Sequence, residues 1–577
     1  MMRRIAVILL ALCLLCGCTA PSVTDAPPAS SGSEAATVPP AAINPSEMFT
    51  ERDLSGAVEN ATYVTLDGSS LTLTQAGTYV LTGKITEGSI IVDAGKNDKL
   101  QLVLSGVDIH SSQSAAIYVK QADKVFITLA EGSQNTLSSG ESFVADGTVN
   151  VDAAVFSRAD LTLNGTGSLS IQSPAGHGIV SKDDLVVTGG TLAITAALHG
   201  LAGKDSVRLR NAALTVTAGK DGIHAENDED SALGFCYIES GNFRIEAEND
   251  GISAGNVLEI MGGNYEITTG GGASAAPEHA GGGFGVGRPG QMGNSSTQTA
   301  DTESRKALKA ASNLTVFAGT FTIDSYDDAL HSNASITVSG GSYEIATGDD
   351  GVHADDTLTV TGGTMNITQS YEGLEALHVL VSGGDIALIA SDDGINAAGG
   401  NDQSGFGGMG GDQFGRPGKP GGGPGGGMGG GGMGGSSNGS ITVEGGNLFI
   451  TASGDGMDAN GSITIRGGYT VVCGPTQGDT ATLDYDTSAT ITGGTFIGTG
   501  AAGMAQTFSD SQQGVVAVRG SGTAGSTITL TDSEGNQLIH FTPALPYNVV
   551  ILSCPEIEKG ETYTLTIGQL SGEIDAY

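Results

Sequence analysis

GVHADDTLTVTGGTMNITQSYE, residues Gly351–Glu372, is the stretch that decides the fold. Val352, Ala354, Leu358, Val360, Met365 and Ile367 alternate with polar neighbours, the period-two pattern of strands that bury one face. Gly362–Gly363 breaks the pattern midway, and the same pair recurs at Gly340–Gly341 and Gly383–Gly384. Glycine tolerates the positive φ that such corners need. Three short strands and three turns in this length make one coil of a parallel β-helix. Helical spacing is absent from the repeats.

The coil recurs along the chain. Its signature is an acid, a glycine, an aliphatic residue, a polar residue and a small residue: KDGIHA at Lys220–Ala225, NDGISA at Asn249–Ala254, DDALHS at Asp327–Ser332 and DDGVHA at Asp349–Ala354. It continues as YEGLEA at Tyr371–Ala376, DDGINA at Asp392–Ala397 and GDGMDA at Gly454–Ala459. The marker glycine, or its alanine substitute, advances in steps of 22 through Gly178, Gly200 and Gly222 and through Ala307, Ala329, Gly351 and Gly373, then 21 to Gly394. The intervals Gly222–Gly251, Gly251–Ala307 and Gly394–Gly456 are 29, 56 and 62, which exceed one period of 22 by 7, 34 and 40 residues. The two long excesses coincide with Gly-rich insertions at about 271–304 and 398–438, and the phase survives both. A fixed period of this size means a solenoid. Each coil buries its inward side chains only against its neighbours, so both ends need caps. The fold class read from the sequence is all-β: a right-handed, single-stranded parallel β-helix of about 22-residue coils with β caps at both ends.

The organisation follows. Arg3 and Arg4, an apolar run Ile5–Leu15 and LCGC at Leu15–Cys18 make residues 1–18 a secretory signal with a lipobox, with Cys18 as the lipidated residue. Pro/Ala/Ser-rich residues 19–47 read as a disordered tether. Residues 48–110 read as an N-terminal β cap and first coils, and AAIYVKQADKVFITL at Ala115–Leu129 places the start of the regular solenoid near there. The β-helix occupies 111–504, and residues 505–577, which leave the period, form a C-terminal β cap that covers the open edge. The chain is extracytoplasmic and held to the bacterial membrane or surface by its lipid alone, as a monomer.

Composition narrows the partners. With 24 basic and 63 acidic residues the net charge is −39, which argues against nucleic acid, a ligand that rewards a basic stripe. It favours inorganic cations, or ligands that a cation can bridge. Cys236, Cys473 and Cys554 are too widely separated to suggest a disulfide framework. CxxC and His-rich metal spacings are missing, so zinc is not expected.

The residue before the marker is acidic in coil after coil: Asp221, Asp250, Asp328, Asp350, Glu372, Asp393 and Asp455, with Asp327, Asp349 and Asp392 doubling it. Stacked about one strand spacing apart, such charges repel by ~3 kcal/mol per pair at a surface dielectric near 20. A cation sharing oxygens between coils relieves this, and hard oxygen donors suit Ca²⁺. The bland alternative is that each Asp caps its own turn. Two residues after the marker lies a polar stripe, His224, Ser253, Lys309, His331, His353, Glu375, Asn396 and Asp458. It is expected to face outward, and His331, His353, Glu375 and Asn396 are the candidates for contact with a linear polymer. Phe243, Tyr265, Phe321, Tyr343 and Phe496 follow the glycine turns. The alternation puts the first four on the face of Ile245, Ile267, Ile323 and Ile345, an internal stack rather than a sugar platform.

The phrases DDGVHADDTLTVTGGTMNI, YEGLEA and SDDGINAAGGN, with Gly-rich insertions and a lipobox, resemble a clostridial family of carbohydrate-binding β-helix proteins. The resemblance spans most of the mature chain. It implies a pectate-lyase-like fold, calcium sites and a plant or bacterial polysaccharide such as cellulose or an acidic sugar polymer as ligand. Tyr371–Glu372 replaces the Asp pair and Ala329 the glycine, so those coils depart from the pattern. The leading expectation is a non-catalytic, calcium-dependent polysaccharide-binding protein with no catalytic residues. A calcium-dependent polysaccharide lyase would need a base such as Lys220, Lys309 or Arg305 beside the acids, and a structural adhesin or spacer would use the repeats only for reach.

Overall fold

Glycine at the corners and aliphatic side chains at every second position close the chain into coils, and stacked coils make three parallel sheets. The computed structural model describes residues 43–227, 229–277, 303–397, 438–476, 478 and 480–577. Residues 1–18 with Cys18, most of the tether, and most of both Gly-rich insertions lie outside the described residues.

One coil shows how the sheets are built. Val352–Ala354 lies on the first sheet, Thr357–Val360 on the second and Thr364–Ser370 on the third. The first sheet pairs Leu330 with Val352, Val352 with Leu374, Leu374 with Ile395 and Ile395 with Met457. This last step crosses the second insertion without a change of register, as Ile252 with Leu308 does for the first. The second glycine of each corner pair takes positive φ, 104° at Gly341, 97° at Gly363 and 94° at Gly384. A β-carbon at the marker Gly351 would lie 2.5 Å from the Gly373 carbonyl oxygen of the next coil, which explains the glycine there.

Inside the coils, like side chains stack on like. Ile223, Ile252, Leu308, Leu330, Val352, Leu374, Ile395 and Met457 form one fully buried column. Each such side chain contributes ~1.5–3 kcal/mol by leaving water. Phe243, Tyr265, Phe321 and Tyr343 form another, with ring centroids 4.9, 4.6 and 4.7 Å apart and nearly parallel planes. The aromatics are therefore internal, as the alternation implied. The Tyr265 and Tyr343 hydroxyls donate to the carbonyls of Gly262 and Gly340. Cys236, Cys473 and Cys554 are buried free thiols.

Both ends differ in detail from the sequence reading. Parallel pairing starts at Thr62–Asp67 against Tyr79–Lys84, about fifty residues before Ala115. The early strands have the same burial logic but lack the acid–glycine signature, so the motif hid them. At the other end Val549–Ser553 adds antiparallel to the last coil strand, Thr495–Gly500, and also pairs with Val515–Val518. Ile528–Thr531, Gln537–Phe541, Thr562–Ile567 and Leu570–Asp575 form a separate antiparallel sheet.

The larger correction concerns residues 43–57. Where a disordered tether and a β cap were expected, this segment is a strap along the outer face of the second sheet. Ile43 N–H donates to Glu259 at 3.0 Å, Arg208 donates to the Met48 carbonyl at 3.1 Å, and Gln101 donates to the Ala57 carbonyl at 3.1 Å. A one-turn helix, Glu51–Leu54, sits mid-strap with Thr50 and Asp53 as a capping box. Asp53 is 1 % exposed. Its carboxylate accepts from Thr162 at 2.6 Å, from Lys124 at 2.9 Å and from Thr50 at 2.7 Å. Burial acts to raise its pKa, but these hydrogen bonds and the Lys124 charge outweigh it and hold it at about 2.

Asp53→Asn strands the Lys124 ammonium in a site only 10 % exposed. Removing one partner of a buried pair costs ~3 kcal/mol or more, so the variant should melt earlier and open first at the strap in hydrogen exchange. Because the folded pKa is depressed, this stabilisation is full above the unfolded Asp value near 3.8 and is lost as pH falls through about 2. Wild type and variant should therefore converge in acid; a difference that persists unchanged at the lowest pH would exclude the pair as its source.

Candidate functional site

The acidic column is held by the backbone. At most positions the residue before the marker accepts the N–H of its equivalent one coil on. Asp221 Oδ1 accepts from Asp250 N at 3.1 Å, Asp250 Oδ1 from Lys306 N at 2.9 Å, Asp328 Oδ1 from Asp350 N at 3.2 Å and Asp350 Oδ1 from Glu372 N at 3.1 Å. Asp393 accepts from Asp455 N, and Asp455 from Ala481 N. These acids bind the turn of the next coil and do not merely cap their own.

The column also holds residues that the acidic motif did not pick out. His177 and His199 precede Gly178 and Gly200, and Lys306 precedes Ala307. His177 Nδ1 accepts from His199 N and His199 Nδ1 from Asp221 N, both at 3.2 Å. An imidazole nitrogen thus does the acceptor's work of a carboxylate. The markers Gly178, Gly200 and Ala307 carry the signal in the sequence, but the residue before each is not the acid of the motif.

Beside this column runs the polar stripe, in the expected register: His224 pairs with Ser253, Ser253 with Lys309, Lys309 with His331, His331 with His353, His353 with Glu375, Glu375 with Asn396 and Asn396 with Asp458. It points away from the core yet is not a solvated face. His331, His353 and Glu375 are 5 %, 0 % and 5 % exposed, and Asn396 is half-buried. Attraction explains it, because the stripe folds onto the second oxygens of the column. His224 Nδ1 lies 2.6 Å from Asp221, His331 Nδ1 2.7 Å from Asp328 and His353 Nδ1 3.2 Å from Asp350, all i,i+3 pairs. Lys309 reaches Asp250 at 3.5 Å and Lys306 reaches Asp328 at 3.7 Å. Three of the four candidate polymer contacts are therefore interior groups of an ion-pair seam.

The seam changes character at Glu372. Up to Asp350, each column acid has a histidine or lysine beside it. From Glu372 on, the i,i+3 partners are Glu375, Asn396 and Asp458, which bring oxygen and no cation. No Lys, Arg or His pairs with Glu372, Asp393 or Asp458 among the described residues. Glu372 Oε1 accepts from Asn396 at 2.9 Å, while Glu372 Oε2 and Asn396 Oδ1, both buried atoms, have no hydrogen-bond partner among the described residues. Donor atoms of Asp393, Asp455 and Asp458 lie within 4.8 Å of one another.

The electrostatics change one coil earlier, because burial and then Glu375, Glu372 and Asp328 raise Asp350 although His353 faces it. Burial works to raise Asp221 and Asp328, but His199 and His224 in the first case, and Lys306 and His331 in the second, hold both well below the carboxylate range. His353 is raised despite burial by Asp350, Asp355 and Glu375. In the other half, burial and then the surrounding acids push Glu372 far up, Asp393 to about 8 and Asp458 to about 7. Burial raises Asp327 to about 6, although it accepts from Arg305 N at 2.7 Å. Asp349 lies with Asp328 and Asp350 in one cluster. Asp392 neighbours Tyr371, whose hydroxyl is pushed up first by burial and then by bonding to that carboxylate. Of the candidate bases, Lys309 is engaged by Asp250 and Ser304, and the Arg305 guanidinium lies 4.6 Å from the Tyr326 ring centroid.

Residues 67–351 match the family described as carbohydrate-binding domain-containing protein. This stretch of the chain is similar to that family. A curated relative, a carbohydrate-binding domain-containing protein of Acetivibrio thermocellus, is 34 % identical over 140 residues, 24 % of this chain. The chain spans about half the length of that relative, 49 %. A solved structure described as the polysaccharide lyase-like protein from C. thermocellum, gadolinium derivative, shares 32 % identity over 37 % of this chain and 91 % of its own, with a TM-score of 0.35. The resemblance read from the repeat phrases is borne out at the level of the family, and the all-β parallel helix by the structure itself. The match ends at Gly351, so the all-oxygen part of the seam lies beyond it.

His353 is the sharpest test of the seam. Its Nδ1 faces Asp350 at 3.2 Å and Glu375 at 2.6 Å. His353→Gln removes the cation between two buried carboxyls and should cost ~3 kcal/mol or more. Adding Glu375→Gln to that variant should restore much of the loss in a double-mutant cycle of unfolding free energies. Strictly additive losses would show that the ion pairs contribute nothing to the seam.

Proposed function

We propose that this chain is a non-catalytic, calcium-dependent polysaccharide-binding protein, anchored outside the cytoplasm through lipid on Cys18, with cellulose or an acidic sugar polymer as its ligand. The family match supports carbohydrate as the ligand class. The observation that carries calcium is the cation-free stretch, with its unpartnered Glu372 Oε2 and Asn396 Oδ1.

The donor set fits the ion. Glu372, Asp393, Asn396, Asp455 and Asp458 offer carboxylate and amide oxygens only, the hard ligands that Ca²⁺ takes six to eight at a time in flexible geometry, with Glu375, which faces His353 at 2.6 Å, at their edge. Magnesium demands tighter octahedra. Asp221, Asp250, Asp328 and Asp350, also candidates from the sequence, already face histidine or lysine, so the reading concentrates calcium after them. When bound, the ion supplies positive charge to which a uronate or hydroxyl-rich sugar can bind. The protein groups fix its place and keep the column from repelling itself.

A ligand that binds only the folded state stabilises it by RT ln(1 + [L]/Kd), about 2.7 kcal/mol at a hundredfold excess over Kd. Chelation should therefore lower the melting temperature, and calcium should restore it better than magnesium. Asp393→Asn with Asp455→Asn and Asp458→Asn should blunt that response and weaken sedimentation with polygalacturonate together, while Asp221→Asn should blunt neither. If the chelator changes neither melting nor polysaccharide sedimentation, the calcium reading fails.

A further inference from the structure

The opposite end of the same column has a different donor chemistry. His177, His199 and His224 stack, with ring centroids 5.0 and 4.3 Å apart. Asp221 Oδ2 lies 2.6 Å from His224 Nδ1 and 3.4 Å from His199 Nδ1. Two imidazole nitrogens and one carboxylate oxygen thus converge, with the three donor atoms within 4.8 Å of one another. The outer nitrogen of His224 is itself engaged: Nε2 lies 3.1 Å from Glu226 Oε2. A carboxylate on the far nitrogen is the arrangement that orients a metal-bound histidine and raises its basicity.

We propose that His199, Asp221 and His224 form a site for a divalent transition metal of the zinc class, separate from any calcium in the later coils. Two imidazoles and a carboxylate suit borderline ions such as Zn²⁺ and Co²⁺, whereas calcium prefers oxygen throughout. Bonds of about 2.0–2.1 Å in a tetrahedron put donor atoms roughly 3.3 Å apart. His199 Nδ1 and Asp221 Oδ2 already stand at 3.4 Å. The His224–Asp221 contact opens by well under an ångström as the ion takes the place of the proton between them. Binding also takes the lone pair that His199 Nδ1 now offers to Asp221 N–H and turns one imidazole out of the stack, whose planes are 18° apart, so that both lone pairs meet the ion. The His199 and His224 side chains keep 16 % and 20 % exposure, which leaves a path for the ion and a position for water or a ligand atom.

The second histidine cluster does not qualify. Asp328, His331 and His353 also come within reach of one another, but the Lys306 ammonium stands 3.7 Å from Asp328, and all three side chains are sealed from solvent. A fixed cation occupies the role there. The inference does not rest on the calcium reading, because it uses different residues and a different ion.

The experiment is a Co²⁺ titration of the untagged full chain in a large excess of calcium, read by visible absorption and bound-metal stoichiometry. One equivalent with the intense bands of a tetrahedral site is expected, displaced by Zn²⁺. His199→Gln or His224→Gln should weaken it more than a hundredfold and Glu226→Gln about tenfold, as losing an orienting carboxylate does. Asp393→Asn should leave it unchanged. X-ray absorption of the zinc-loaded wild type gives a readout that needs no variant to fold: two imidazoles in the first shell are expected. An oxygen-only shell, or Co²⁺ binding unaltered in the His199→Gln/His224→Gln double variant, overturns the proposal, as does no binding at all.

Discussion

Most coils from His177 on reach the next through one side-chain acceptor: the oxygen or imidazole nitrogen before the marker that takes the following coil's N–H. A turn N–H facing inward along the stack must be satisfied, and the residue before the marker does it repeatedly, from His177 to Asp455. This requirement explains why the position mostly carries Asp or His; Lys306, which cannot accept, and Glu372, whose Oε1 takes Asn396 instead, depart from it. It also leaves a second carboxylate oxygen unused in each acidic coil. A buried carboxylate with one oxygen unmet is costly, so the neighbouring stripe is bound to supply something to meet it.

What the stripe supplies decides where ions are needed. In the coils of Asp221, Asp250, Asp328 and Asp350 the protein brings its own cations, His224, Lys309, Lys306 and His353, while His331, lowered by burial and by Lys306, meets Asp328 as a hydrogen-bonding ring. After Glu372 it brings oxygens. The same backbone therefore presents a self-neutralised seam in one half and a cation-demanding one in the other. The first half does structural work, and the calcium binding proposed above would fall in the second, where the ion would bridge the protein to an anionic or hydroxylated polymer.

The repeat made most of the fold legible. The marker steps of 21 and 22 carried the register across both insertions, because insertions between coils leave the stacking of Ile252 on Leu308 and Ile395 on Met457 untouched. The alternation placed Phe243, Tyr265, Phe321 and Tyr343 inside. The strap was not legible, since Asp53 meets Lys124 and Thr162 across more than seventy residues and no local pattern encodes that. The acids and the stripe were each placed in the right register, but burial depends on which cation leans on which acid. That is a pairwise matter between i and i+3, and it turned His331, His353 and Glu375 from a binding face into a seam. His177, His199 and Lys306 were hidden by looking for charge of one sign where the backbone asks only for an occupant of that place in the column.

Anomalous diffraction from crystals grown in calcium and then exchanged into a lanthanide that reports calcium sites would test the division of the column most directly. The account predicts lanthanide peaks among Glu372, Glu375, Asp393, Asn396, Asp455 and Asp458, and none between Asp328, Asp350 and His353. Peaks confined to the coils of Asp328 and Asp350, with the later coils empty, would contradict it.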